Sequence, residues 1–500
     1  MKSAEGTVPQ ANSAAAETAA STAQASLLDQ VIKEGRLARD DEQRLIAKDL
    51  IGEFVSQVMD GEMKISPDTQ AMINERIAEI DSLITDQLNA VLHDEVFQKL
   101  ESAWRGLHYF VNETDDTPTI KIRALNASKK DLQKDLHPNN PFDKTGLFDK
   151  VYEQEFGMFG GFPFGALIGD YEFSRHPQDV GLLESISKIA AAAHAPFISA
   201  ASPQLFDWDD FTQLSGPKDL TRIFNGPEYI KWKSFRKSED SRYVGLCLPH
   251  ILMRLPYGPD TDPVEGFNFK EDVDGKEHKK YLWGNAAYAL GTRLTASFSR
   301  HNWCATIRGV QGGGLVEGLK VHTFKTDQGE IAPKCPTEIA ISDWREKELS
   351  TLGFIPLLHC KGEDYAAFFS TQSCQEAVHY DTDSANANAR LSTQLQYILA
   401  TSRFAHYLKV IMRDRIGDFV TREQCEKDLK DWISKYVTTD DTATSEVKAQ
   451  RPLREADVKV VDIPGKPGCY KAIALLRPHF QLDELTISLR LVAELPKQVK

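Results

Sequence analysis

Five of the ten residues from Gly309 to Gly318 (GVQGGGLVEG) are glycine. A glycine-rich turn behind an apolar segment is one way a chain cradles a phosphate, so the stretch first asks for nucleotide chemistry. The residues that chemistry needs are missing. A loop of the form G-x-x-x-x-G-K-[ST] sets a lysine on the phosphates and a hydroxyl on magnesium. The Gly-Lys pairs here, Gly275-Lys276 and Gly465-Lys466, are followed by Glu277 and Pro467. The dinucleotide pattern G-x-G-x-x-G fits at no register, since from Gly312 the sixth position is Glu317. Strand-like alternation (LKVHTF) resumes after Gly318, where a pyrophosphate would need a helix N-terminus. The run is expected to be a structural loop, with a nucleotide-binding or hydrolytic enzyme centred on residues 309–318 as the alternative.

Other chemistry is equally thin. No G-x-S-x-G elbow and no H-E-x-x-H or H-x-x-E-H helix occurs. His301 lies close to Cys304, but near neighbours on one element rarely converge into a nucleophile and base. His194 reads as a hydrogen-bonded buried or helix-ending histidine, and His93-Asp94-Glu95 as a solvated helix face. The seven cysteines (Cys247, Cys304, Cys335, Cys360, Cys374, Cys425, Cys469) form no C-x-x-C pair and fit reduced thiols in a cytosol. No metal ligands, cofactor-binding residues or catalytic residues are expected, and this silence in 500 residues points to a binding or assembly protein.

Bulk composition agrees. A chain with 41% hydrophobic and 26% charged residues is that of a globular protein, long enough for two or three domains. A net charge of −14 argues against wrapping a phosphate backbone, so nucleic acid is not an expected partner. The most apolar stretch, Ile189 to Ala201, is interrupted by His194 and Pro196 and is shorter than the roughly 20 residues a membrane span needs. A cytoplasmic location without membrane insertion is the expectation.

The elements that would carry any function follow from periodicity. Fifteen of the first twenty-five residues are Ala, Ser or Thr, a tail with almost nothing to bury. Ser26 then caps a short amphipathic helix, to Glu34, whose stripe is Leu27, Leu28, Val31 and Ile32. It either docks on its own core or is presented to another protein's groove. Helical spacing continues over residues 43–113, with Ile73, Ile77, Ile80, Ile84, Leu88 and Leu92 on one stripe that Leu100, Trp104, Leu107 and Phe110 extend. TIKIRAL (119–125) reads as a strand, and Ser128 caps the next helix. A mixed middle follows: GALIGDYEF and PFISA as strands, and DVGLLESISKIAAAAHA, residues 228–246 and residues 283–301 as helices. From Thr337 the pattern is strand, a helix capped by Asp343 and ended by Gly353, then two strands. Two amphipathic helices (391–420 and 421–437) precede strands joined by a Pro/Gly turn at 464–468. In the last strand Leu485, Ile487, Leu489 and Leu491 alternate with polar residues.

Four long blocks, residues 193–206, 281–319, 336–357 and 451–480, together with ESAWRGLHYFV (101–111), resemble the large sheath subunit of the bacterial type VI secretion system, the TssC/VipB family. The resemblance runs from about residue 26 onward. It implies a mixed α/β chain with an N-terminal helical segment, a middle domain and a C-terminal α+β domain like the phage tail sheath core. The expected divisions are a tail (1–25), a recognition helix and linker (26–42), a helical segment (43–113), an outer sheath domain (114–335) and an inner sheath domain (336–500). It also implies partners: a small sheath subunit (TssB/VipA-like), further copies of this chain, an inner tube protein (Hcp-like), baseplate components and an AAA+ ATPase (ClpV-like). The ATPase would grip Ser26, Leu27, Leu28, Val31 and Ile32. Strand sharing between subunits would use Leu485, Ile487, Leu489 and Leu491. Glu426, Lys427, Lys430 and Asp431, on the helix 421–437, are the candidates for touching the inner tube.

Overall fold

The computed structural model describes residues 41–59, 69–137, 139–216, 219–326, 328–465 and 469–482. The chain divides into two units, Met1–Gln87 and Leu88–Lys500. In the first, helix α1 (Asp41–Met59) is followed by α2, which runs from Thr69 to Leu92. The stripe expected on this helix forms but stays open, with Ile73, Ile77, Ile80 and Ile84 all exposed.

The second unit begins with α3 (Glu95–Asn112). His93 and Asp94 interrupt the helix because the Asp94 carboxylate caps it, accepting from the Val96 and Phe97 amides at 3.0 and 3.1 Å. The continuous stripe expected here divides accordingly: Phe110 and Leu107 join a core, whereas Leu100 and Trp104 face outward. TIKIRAL is not a strand; Thr119 lies in a turn and residues 120–125 carry no regular element and join no ladder. Ser128 and Asp131 then close a capping box on α4 (Lys129–Asp135), as the sequence predicts.

A central sheet organises the unit. Its strands are β1 (Leu167–Phe173), β2 (Phe197–Ala201), β3 (Val244–Leu248), β6 (Leu315–Val316), β9 (Ile355–His359) and β10 (Ala366–Phe368); the short pairs β4 (Ile251–Leu252) with β5 (Trp283–Gly284) and β7 (Thr323–Lys325) with β8 (Ile331–Pro333) lie outside it. The order is β1-β2-β3-β9-β10-β6, with the first four parallel and β10 antiparallel to both neighbours. Helix α5 (Pro177–Ala193) makes the crossover from β1 to β2. It ends at His194, whose left-handed backbone (φ 52°) caps it just before Pro196. The parallel strands are buried on both faces, and side chains alternate between two cores. Phe197, Leu246 and Leu248 face the core that contains Leu183, Ile186, Trp232 and Phe354. Ile198, Cys247 and Ile355 face the one built on Leu290 and Leu294 of helix Ala287–His301. This two-sided burial corrects one expected helix. Residues 228–246 carry only a short helix, Ile230–Arg236, before the chain turns into β3.

Further corrections concern residues 336 onward. Helix Asp343–Thr351 is preceded by Ser342 as its N-cap, so Asp343 is its first residue rather than its cap. TEIAIS forms an isolated bridge, Thr337 to Ile251, instead of a strand. The division expected at residue 335/336 separates strands that the sheet joins, since β9 and β10 pair with β3 and β6. The C-terminal layer starts later. Helix Leu395–Asp414 contributes Leu395 and Leu399 to the second core and Phe404 to a third. In that third core Trp303 stacks on Phe404 at 4.2 Å, and helix Arg422–Ser434 packs on the hairpin β11 (Leu453–Asp462) and β12 (Tyr470–Pro478). The helix expected over 391–420 runs Leu395–Asp414, while residues 391–392 end a separate helix, Asp383–Ser392.

Candidate functional site

The glycine run is a tight link that carries the chain from helix Ala287–His301 into β6. The Gly309 amide donates to the Phe368 carbonyl at 2.7 Å, the Gly314 amide to the Gly309 carbonyl at 2.9 Å, and the Phe368 amide to the Gly314 carbonyl at 3.0 Å. Two of the amides a phosphate would need are thus committed to the loop and to β10. Gly313 is left-handed (φ 87°), and a Cβ there would lie 2.4 Å from the Thr306 carbonyl oxygen; at Gly314 it would lie 2.6 Å from that of Phe368. Backbone crowding on this scale demands glycine whatever the function. The loop lines an open groove of about 1470 Å³. The chain's own Gln481 and Leu482 enter that groove: Arg308 donates to the Gln481 side-chain oxygen (3.1 Å) and to the Leu482 carbonyl (2.9 Å).

The buried polar groups form structural links. His250 stands between two carboxylates, with Nδ1 2.5 Å from Glu338 and Nε2 3.0 Å from Glu172. His278 binds the other Glu338 oxygen at 2.9 Å. Burial alone would lower the His250 pKa, but its two carboxylates outweigh that and raise it to about 10. Burial opposes the charge on Glu338 as well, yet hydrogen bonds from His250 and His278 hold it well below the usual carboxylate range. Arg254 bridges Glu101 and Glu271, tying α3 to the segment after β3. His93 joins this network through Glu271 at 3.2 Å, so it is not on the solvated face expected for it. None of these groups lines the groove beside the glycine loop. Among the described residues no cluster of three or more His, Cys, Asp or Glu is placed to hold a metal ion. Cys304 donates to the Leu294 carbonyl, and burial pushes its thiol up to about 12. No helix among the described residues is long and apolar enough to cross a membrane.

The four residues expected at an inner tube divide into two pairs. Cys425, Leu429 and Ile433 bury the inner face of helix Arg422–Ser434. Glu426 then accepts from Lys430 at 2.9 Å and from the Val460 amide at 3.0 Å, and Lys430 also meets Asp457 at 3.1 Å. Glu426 and Lys430 therefore clamp the helix to β11, while Lys427 and Asp431 remain exposed on the opposite face. The helix Ser26–Glu34 and the strand Leu485–Val492 lie outside the described residues. The hairpin before that strand carries outward Ile473 and Leu475, both exposed on β12.

Comparison with known proteins supplies the class. Residues 74–375 match the model of the EvpB/VC_A0108 tail sheath N-terminal domain (VipB), and residues 384–495 match its tail sheath gpW/gp25-like domain. These are the two halves of a tail sheath protein, and they meet after the last strand of the central sheet. A curated relative from Pseudomonas aeruginosa (strain PAO1), "Type VI secretion system sheath protein TssC1", is 52% identical over 435 residues, covering 86% of this chain and 87% of its own length. The chain belongs to the VipB (TssC) tail sheath family. Among solved structures, the anti-feeding prophage baseplate superposes with a TM-score of 0.37 at 7% identity over 75% of this chain and 83% of its own. The contracted helical sheath of the same prophage gives 0.36 at 7% identity over 73% and 83%. Likeness that distant carries no weight; the family rests on sequence.

Proposed function

We propose that this chain is the large subunit of a type VI secretion contractile sheath and that it acts by assembly in the cytoplasm, without catalysis. The observation that carries this reading is the 52% identity, over most of both chains, to a protein named as a type VI secretion sheath protein. The chain co-assembles with a small sheath subunit, and the heterodimers stack helically around an inner tube. Contraction is driven by free energy stored in the extended lattice. Three features support a structural role: the central sheet buries side chains in cores on both of its faces, the Gly309 and Gly314 amides are committed within the loop and to β10, and large apolar side chains lie open on α2 and β12. The helix Ser26–Glu34 serves as the handle for a disassembling AAA+ ATPase, and residues 485–492 add a strand to a neighbouring subunit. For the inner tube, the exposed face at Lys427 and Asp431 replaces the four-residue set. Co-expression with a small sheath subunit should yield long tubules by negative-stain microscopy. A monomeric product stabilised by nucleotide would overturn the proposal in favour of the enzyme.

A further inference from the structure

Cys335 and His359 meet where the chain leaves β8 and where β9 ends. His359 pairs with Ala366 of β10, and its Nε2 donates to the Glu363 carbonyl at 2.7 Å in the turn between the two strands. A carbonyl only accepts, so the ring hydrogen sits on Nε2 and the neutral ring keeps its lone pair on Nδ1. His359 also hydrogen-bonds the Cys335 thiol. Thr337 closes on the same sulfur, with its hydroxyl 3.2 Å away and its amide directed at it. Thr337 is itself fixed, since it is buried and bridged to Ile251. A base oriented by one hydrogen bond and joined to a thiol by another is the arrangement that makes cysteine a nucleophile.

The electrostatics agree with that geometry. Burial opposes a thiolate at Cys335, but hydrogen bonds from His359 and Thr337 outweigh it and hold the thiol below its ordinary range. Burial likewise opposes a charged imidazole, yet the bonds of His359 to Cys335 and to the Glu363 carbonyl raise it. Thiolate and imidazolium therefore favour one another. Cys304 and Cys374 show the contrast, for burial pushes both of those thiols up to about 12. Cys335 and His359 are both partly exposed, so the pair is not sealed in a core, and Lys334 adds a neighbouring cation.

We infer that Cys335 is a reactive thiol that exchanges with small disulfides, with His359 as its base. In that step the Cys335 thiolate attacks one sulfur of the reagent. The reagent's S–S bond breaks as a new one forms to Cys335, and the departing thiolate takes the proton held by His359. The Cys335 sulfur is oxidised and the departing sulfur reduced, so the small disulfide is the only co-reactant. The inference concerns this chain alone and is independent of the sheath reading.

Limiting iodoacetamide followed by peptide mapping tests the thiol on the unaltered full chain. At about pH 6.5, Cys335 should be alkylated at least about fivefold faster than the more exposed Cys469. His359→Gln keeps a donor for the Glu363 carbonyl while removing the base, so the variant should melt with the wild type. It should slow Cys335 at that pH by at least about tenfold and move the midpoint of its alkylation-against-pH curve upward. Oxidised glutathione should place a mixed disulfide on Cys335 that dithiothreitol releases, and Cys335→Ser should lose it. Alkylation of Cys335 no faster than of Cys469, an unmoved midpoint in His359→Gln, or a mixed disulfide confined to other cysteines overturns the inference.

Discussion

Gly312, Gly313 and Gly314 are glycine because carbonyls of Arg308, Thr306 and Phe368 occupy the places where side chains would begin. The loop's composition invites a phosphate-binding reading, and its geometry instead serves the sheet edge. At the same scale, His250 makes stability depend on pH. Its folded pKa of about 10 exceeds its ordinary 6.5, so between these values the folded chain keeps a proton that the unfolded chain releases. Its contribution is therefore complete below about 6.5 and is lost as pH rises toward 10. Glu338 has the opposite sign: its contribution is present above its ordinary 4.5 and is lost on acidification. His406, lowered to about 4 by burial, also costs stability as pH falls below 6.5. Thermal melts should thus be highest near pH 6.5, and His250→Gln should flatten the decline on the alkaline side. An unchanged alkaline slope would show that His250 is not its source. Glu338→Ala, which leaves the partly buried His250 and His278 without their shared acceptor, should cost about 3–5 kcal/mol.

Among the elements, the amphipathic helices separate into those whose apolar face is used within this chain and those whose face is not. Helix Arg422–Ser434 buries Cys425, Leu429 and Ile433 and clamps Glu426 and Lys430 onto β11. Helix α2 leaves Ile73, Ile77, Ile80 and Ile84 open. The segment Ser26–Glu34, the proposed handle, has the same kind of apolar stripe in its sequence. Replacing Leu28 and Ile32 together by Asp should reduce ATPase binding by at least about tenfold while tubules still form, since a charged pair destroys an apolar docking face. Wild-type affinity measured for that double variant would refute the handle.

At the scale of the molecule, the parallel strands of the central sheet are buried within this chain on both faces, whereas among the described residues the C-terminal hairpin pairs only β11 with β12. Main-chain ladders between subunits keep their pairing while rigid bodies rotate, which suits a lattice that must shorten without dispersing. Deleting Leu485–Lys500 should therefore leave soluble heterodimers, by size exclusion, but no sheath in the microscope. Normal tubules from the truncated chain would rule out strand sharing through this segment.

Periodicity, caps and turn residues determined much of this protein locally. The capping box at Ser128, the helix stop at His194 and Pro196, β1, β2 and the final hairpin are all legible because each depends on neighbours in sequence. The family was legible as well, carried by long blocks such as residues 281–319. Only tertiary structure decided three other matters. Val244–Leu248 is a strand because two cores bury it from opposite sides, although its approach is helical in pattern. β9 and β10 join the central sheet through β3 and β6, strands remote in sequence that only the tertiary fold brings alongside. TIKIRAL, a strand by sequence, is left without a ladder because hydrogen-bonded pairing needs a second strand, and none among the described residues reaches it.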